Sequence, residues 1–247
     1  GIDESIDGDT VLVAAGTYVE NIEYLNDDLI SFTLMSVSGP DSTIINNTDF
    51  RLDITDLIID VFTINSRIYI TPIPPGTDPG DESSNLQIRN IIAYDESDEF
   101  SRLLTIEDVN DISLENIYTN KFIRVEALSD VNIKHYHYTG RPNVPGDKAL
   151  LLIADEFEPT TLTIDSSLFT DCYFYAISSG HFDTVNISNS TFSANANIRF
   201  QNVENATIRN SIIWYSAITD LGNLNLIDIN YTNIFGGIDS LQVEDAT

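Results

Sequence analysis

Basic and imidazole side chains are scarce in this chain, so those that cluster are the first place to look for chemistry. Eleven Lys and Arg and three His stand against 39 Asp and Glu. The densest group is Arg124, Lys134, His135, His137 and Arg141, with His181 farther along. In an alternating strand His135 and His137 face one side, and Lys134 and Tyr136 the other. If His181 joins that face roughly two coils later, three imidazoles come within ~10 Å along a stack of strands. Such a set suits proton transfer or metal binding. Lys134, His135, His137, Arg141 and His181 are therefore the catalytic candidates. The same residues also read as solvated or core-satisfied side chains.

Carboxylates form the second group. Asp27-Asp28, Asp53 with Asp56 and Asp60, Asp95-Glu96 with Asp98-Glu99, and Asp155-Glu156 with Glu158 are clustered on expected turns or strand ends. Hard oxygen ligands suit Ca2+. The metal candidates are Asp53, Asp56, Asp95, Asp98, Asp155 and Glu156, and Ca2+ is the expected cofactor. None of these clusters matches an EF-hand loop or a glycine-rich calcium β-roll repeat. The alternative reading is an acidic surface serving solubility or salt tolerance.

The elements that would position these residues show as a repeat. Four segments begin with an aliphatic anchor, carry a small hydroxyl residue three positions on and an apolar residue five positions on. They open at Ile164, Ile187, Ile208 and Ile229, spaced 23, 21 and 21 residues apart. Looser copies start at Ile45, Ile88, Leu114 and Ile133. Alternation such as Val185-Asn186-Ile187-Ser188 is the period of a half-buried strand. Asn, Ser and Asp then turn the chain. One such unit cannot bury its apolar face alone, whereas stacked units share a continuous core. The expected fold is all-β: a right-handed parallel β-helix with coils of about 21–23 residues, one domain over 1–247. Pro- and Gly-rich stretches at 71–84 and 139–148 break the rhythm and read as loops leaving the solenoid.

Gly8-Asp9-Thr10-Val11-Leu12-Val13-Ala14-Ala15-Gly16-Thr17-Tyr18-Val19-Glu20-Asn21-Ile22 resembles the opening coil of pectin-lyase-like right-handed β-helix proteins. Ile208-Arg209-Asn210-Ser211-Ile212-Ile213-Trp214 and Asn230-Tyr231-Thr232-Asn233-Ile234-Phe235-Gly236-Gly237 resemble coils of bacterial surface β-helix proteins. For lyases of this fold the resemblance implies carboxylate-held Ca2+ and an Arg or Lys base, but no lyase motif is present. Asn47-Thr48-Asp49 and Gly180-His181 resemble two pieces of the polygalacturonase signature, without its paired aspartates or its Arg-x-Lys. Gly16-Thr17-Tyr18-Val19-Glu20 resembles the opening motif of pectin methylesterases, whose catalytic aspartate motifs are missing.

A net charge of −28 repels phosphate backbones and argues against nucleic acid as a partner. No run approaches the ~18 apolar residues of a spanning helix. The one cysteine, Cys172, cannot form a disulfide within the chain and reads as a buried small hydrophobe. The polar start Gly1-Ile2-Asp3 reads as that of a processed product or of a segment of a longer chain. The expected location is extracellular or at the cell surface. The expected function is a non-catalytic structural, adhesive or self-assembling module, associating with other copies or neighbouring domains through its solenoid ends. The alternative is a polysaccharide lyase or other carbohydrate-active enzyme working in a groove along the solenoid. A flat ice- or mineral-binding face ranks last, for want of a repeated Thr-x-Thr rank.

Overall fold

The computed structural model describes residues 2–19, 22–24, 31–46, 49–52, 56–65, 67–70, 85–94, 102–141, 148–154, 160–172, 175–219 and 224–235. These form a parallel β-solenoid; among the described residues there is no α-helix, only a 3-10 turn at Ile2–Glu4. No helix among them is long and apolar enough to cross a membrane.

The chain winds between two parallel sheets. In the first, ten strands stack in chain order: Asp9–Val13, Phe32–Ser36, Asp56–Ile64, Asn85–Ala93, Ile112–Thr119, Val131–Thr139, Thr161–Asp165, Thr184–Ser188, Asn205–Arg209 and Leu226–Asn230. In the second, nine do: Ile22–Tyr24, Asp49–Leu52, Arg67–Ile70, Arg102–Val109, Phe122–Ala127, Lys148–Ala154, Tyr175–Gly180, Ile198–Gln201 and Ile218–Thr219. The apolar anchors face inward. Ile133, Ile164, Ile187 and Ile208 pair in register and are essentially buried. Coil by coil they remove the same apolar side chain from water, at about 25 cal/mol per Å2. Farther along the same coils the core is aromatic. The Phe169 ring lies 5.5 Å from Tyr136 and stacks on Phe192 at 4.9 Å and 5°.

Eight anchors are followed two residues later by a bend in the left-handed region; Ile59 takes the place in this series that the sequence assigned to Ile45, which instead pairs with Ile64 beyond the corner. Val61, Asn90, Asn116, His135, Ser166, Asn189, Asn210 and Tyr231 occupy this corner in eight coils, with φ between 50° and 71°. Four are Asn, a residue that tolerates this backbone through local side-chain bonding. The next residue then points back into the core. In the last coils it is Ser167, Ser190 and Ser211, all buried. Each serine hydroxyl donates to the carbonyl two residues earlier, Asp165 O, Ser188 O and Arg209 O, at 2.7–2.9 Å. Each also accepts a backbone N–H from the coil before: Tyr136 N, Ser167 N and Ser190 N donate at 3.1–3.2 Å. The repeated hydroxyl is thus an internal ladder that pairs backbone groups the bend removes from the sheet.

Residues 71–84 and 142–147 lie outside the described residues. The second rhythm-breaking stretch starts later than its sequence suggests. Thr139 ends a strand, and Gly140 N–H donates to Thr170 O at 2.7 Å. A Cβ on Gly140 would stand 2.3 Å from Asp171 O, so only glycine fits this coil-to-coil approach. Cys172 is buried and forms no disulfide; its Sγ donates to Thr170 O at 4.0 Å.

Candidate functional site

The left-handed corner decides where the candidate residues point. At His135 (φ 52°) the two-residue alternation is interrupted. Lys134 and His135 are therefore both exposed, Tyr136 is buried, and His137 lies half-buried on the far side of the bend. His135 and His137 do not form one rank. His181 sits at a different corner, after a strand of the second sheet, where its N–H donates to Gln201 O at 3.0 Å. Arg141 follows Gly140 after the first-sheet strand, half-buried. The three imidazoles are thus placed on three different turns or faces of the coil rather than on one face.

Each imidazole on the first sheet has a specific neighbour. His135 Nδ1 stands 3.1 Å from Asn116 Oδ1, a hydrogen bond in the tautomer that carries its proton on Nδ1. Asn116 Nδ2 donates to Asn90 Oδ1 at 3.0 Å, and Asn90 Nδ2 donates to Asp60 Oδ1 at 2.7 Å. His135 is the far member of an amide ladder that ends on a carboxylate. A second ladder repeats the device: Asn210 Nδ2 donates to Asn189 Oδ1 at 3.4 Å, and Asn189 Nδ2 to Asp165 Oδ1 at 2.7 Å. His137 packs edge-on against Tyr118, ring centroids 5.7 Å apart.

Lys134 belongs to a charged column just before the corner. In register, one residue per coil, this column reads Asp60, Arg89, Glu115, Lys134, Asp165. The sign alternates at each of the four steps. Arg89 Nε lies 2.8 Å from Asp60 Oδ2. At the other end, the hydrogen bond from Ser188, foremost, holds Asp165 below the usual carboxylate range; burial opposes it, and hydrogen bonds from Asn189 and Ser166 and the charge of Lys134 add to the lowering.

Beyond the corner the outward face changes character. One column runs Thr63, Ile92, Tyr118, His137, Leu168, Thr191, Ile212, Asn233. Beside it, two residues further in each coil, stand Asn65, Tyr94, Asn120, Thr139, Thr170, Ser193, Trp214 and Phe235. Neither column holds an Asp, Glu, Lys or Arg. Tyr94 and Tyr118 are each 44% exposed, and burial, with Tyr118 adding to it, pushes the Tyr94 phenol up. At the far end Trp214, Tyr215 and Phe235 form an exposed cluster, with ring centroids 4.2–5.7 Å apart.

Of the metal candidates, Asp53, Asp95, Asp98, Asp155 and Glu156 lie outside the described residues. Asp56 lies beside Ser31, whose hydroxyl donates to Oδ2 at 3.4 Å. It lines a cavity of about 300 Å3 with Gly8, Ser31, Thr33, Asn85 and Gln87. Among the described residues no three His, Cys, Asp or Glu side chains stand close enough to share a metal ion.

Sequence reasoning missed the amide ladders and the uncharged face. A signal for the former was present: Asn stands two residues after the anchor at Asn90, Asn116, Asn189 and Asn210. The chain matches no family model, no curated protein and no solved structure.

Proposed function

We propose that this chain is a non-catalytic extracellular β-solenoid module, structural or adhesive in role. The observation that carries the reading is what the scarce functional side chains do. His135 extends an amide ladder, Lys134 stands between Glu115 and Asp165 in the alternating column, and His137 packs on Tyr118. Each contact links one coil to the next; Glu115 is a neighbour shared by two of them, 4.0 Å from His135 Nδ1 and in register with Lys134, while His137 lies across the bend from both. Ca2+ is the cation proposed for the acidic clusters. The test is light scattering over a concentration series with and without chelator, beside an assay for cleavage of neutral and acidic polysaccharides. Chelator- or concentration-dependent assembly with no cleavage is the expected result. Cleavage that His135→Ala leaves intact would sink the non-catalytic reading and place the chemistry elsewhere.

One observation favours the second reading, a carbohydrate-active enzyme working along the solenoid. Six of the eleven cations lie on strands of the second sheet, one on each of six: Arg51, Arg67, Arg102, Arg124, Lys148 and Arg199. Arg102 lies over the Phe122 ring at 5.5 Å and Arg199 over Tyr175 at 5.4 Å. Arg124 pairs with Glu126. In so acidic a molecule this sheet is where an anionic glycan would meet least repulsion. Substitution of Arg124 and Arg199 to Ala abolishes cleavage of an acidic polysaccharide if this reading holds, and changes nothing if the first one does.

A further inference from the structure

The uncharged face beyond the left-handed corner is unlike the rest of the molecule. The chain carries 39 acidic and 11 basic residues, yet two adjacent outward columns spanning eight coils contain none of them. In their place are aromatic rings at two points, with His137, Leu168 and short hydroxyl groups between. Tyr118 belongs to the coil of Ile112–Thr119, and Trp214 to a coil four steps further along the stack. At ~4.8 Å per step the two ring clusters are about 19 Å apart. Thr170, Thr191 and Ser193 lie between them, half-buried and outward. A set of large apolar rings left 40–59% exposed is unusual for a surface that water alone covers.

We infer that this stripe binds a neutral, linear polysaccharide lying along the solenoid axis, rings stacking on Tyr118 and on the Trp214–Tyr215–Phe235 cluster. The chemistry follows from the face. Aromatic rings pair with the apolar C–H face of a pyranose, and hydroxyl and amide groups take its hydroxyls. Absence of Asp, Glu, Lys and Arg from both columns suits a ligand that has no charge, because burying an unpaired carboxylate under a sugar would be costly; the bordering carboxylate, Asp171, already accepts a hydrogen bond from Thr170 Oγ1 at 3.0 Å. The repeat of the coils is comparable to the repeat of a sugar in an extended chain, so successive units meet successive coils. An anionic glycan finds no Lys or Arg in either column; Lys121, whose Nζ donates to Asn65 O at 3.0 Å, is buried.

The inference rests on the adhesive reading and deepens it, and the two fail separately. The experiment is electrophoresis of the native chain through gels containing a neutral β-glucan, a galactomannan or polygalacturonate. Trp214→Ala and Tyr118→Ala are run beside the wild type, with thermal melts to show that each variant is folded. Retardation in a neutral gel, weakened about tenfold or more by either variant, is the expected result. The stripe is overturned if no neutral gel retards the wild type, if both folded variants are retarded as strongly as it is, or if polygalacturonate alone retards it. It is also overturned if light scattering shows that Trp214→Ala dissociates a dimer, since a second copy would then cover the rings. Cleavage products from the neutral glycan would sink the non-catalytic reading and leave the stripe standing.

Discussion

Asp165 accepts hydrogen bonds from Ser188 Oγ at 2.5 Å, Asn189 Nδ2 at 2.7 Å and Ser166 Oγ at 2.9 Å. These favour its anion, so the folded chain releases this proton more readily than the unfolded one. A carboxylate with a depressed folded pKa contributes stability that is present in full above its unfolded value of 3.8 and fades as pH falls through the lower folded value. Asp165→Asn is therefore expected to melt lower than wild type at neutral pH, with the gap closing as pH falls below 3.8. A gap of equal size at both ends would show that the charge is irrelevant. The neighbouring corner offers a second test. Asn189 has φ 50°, so Asn189→Ala loses two side-chain hydrogen bonds and pays for a left-handed backbone, whereas Asn189→Gly loses the bonds alone. Denaturant titration should place the Ala variant about 1 kcal/mol below the Gly variant. Equal stabilities would mean that the corner relaxes. Neither role is visible in the local sequence, where Asp165 and Asn189 read as turn residues; apart from the Ser166 bond, the hydrogen bonds that define them join neighbouring coils.

At the scale of the coil, the best-read feature was the hydroxyl three residues after each anchor, because evenly long coils bring Ser167, Ser190 and Ser211 to the same place. Its reason was not legible, since the ladder depends on a bend that only the backbone reveals. Ser190→Ala removes a donor to Ser188 O and, more seriously, the acceptor of Ser167 N–H in a buried site. Leaving that group unpaired should cost about 1–3 kcal/mol, measured as a shift of the denaturation midpoint. Ser190→Thr keeps the hydroxyl and should recover part of the loss; no difference between the two variants would sink the ladder as a stabilising element. The upstream coils explain what remained hidden. Insertions between them vary in length, so the register linking Asp60, Arg89, Glu115, Lys134 and Asp165 has no fixed spacing to find. The histidine face was misjudged for a related reason. Period-two reasoning carries His135 and His137 to one side, and a single left-handed residue at His135 undoes it.

Over the whole molecule, charge is sorted by surface. The first sheet carries an alternating column before its corner and an uncharged stripe after it, and the second sheet holds six of the eleven cations. The excess of 28 negative charges is left to the rest. Salt acts on these two arrangements with opposite sign. It screens the column, where each exposed pair contributes about 0–1 kcal/mol and only the Arg89–Asp60 pair has a buried member, and it relieves repulsion among the many carboxylates elsewhere. Arg89, Glu115 and His135 are 37–45% exposed, so their attractions are weak already and little is lost by screening them. Relief of repulsion is the larger effect. The melting temperature should rise as NaCl increases from about 0.01 M to about 0.15 M, as the screening length shortens from roughly 30 Å to 8 Å. A fall over that range would mean that the column outweighs the net charge. Reversing the sign at one step separates the contributions. Lys134→Glu sets three acids in adjacent coils, Glu115, position 134 and Asp165, on a spacing where like charges directly repel. It should lower stability by about 1–2 kcal/mol at low salt, more than Lys134→Gln does, and the difference between the two should shrink as salt is added. If Lys134→Glu and Lys134→Gln melt together at low salt, the alternation carries no energy and is a consequence of composition alone.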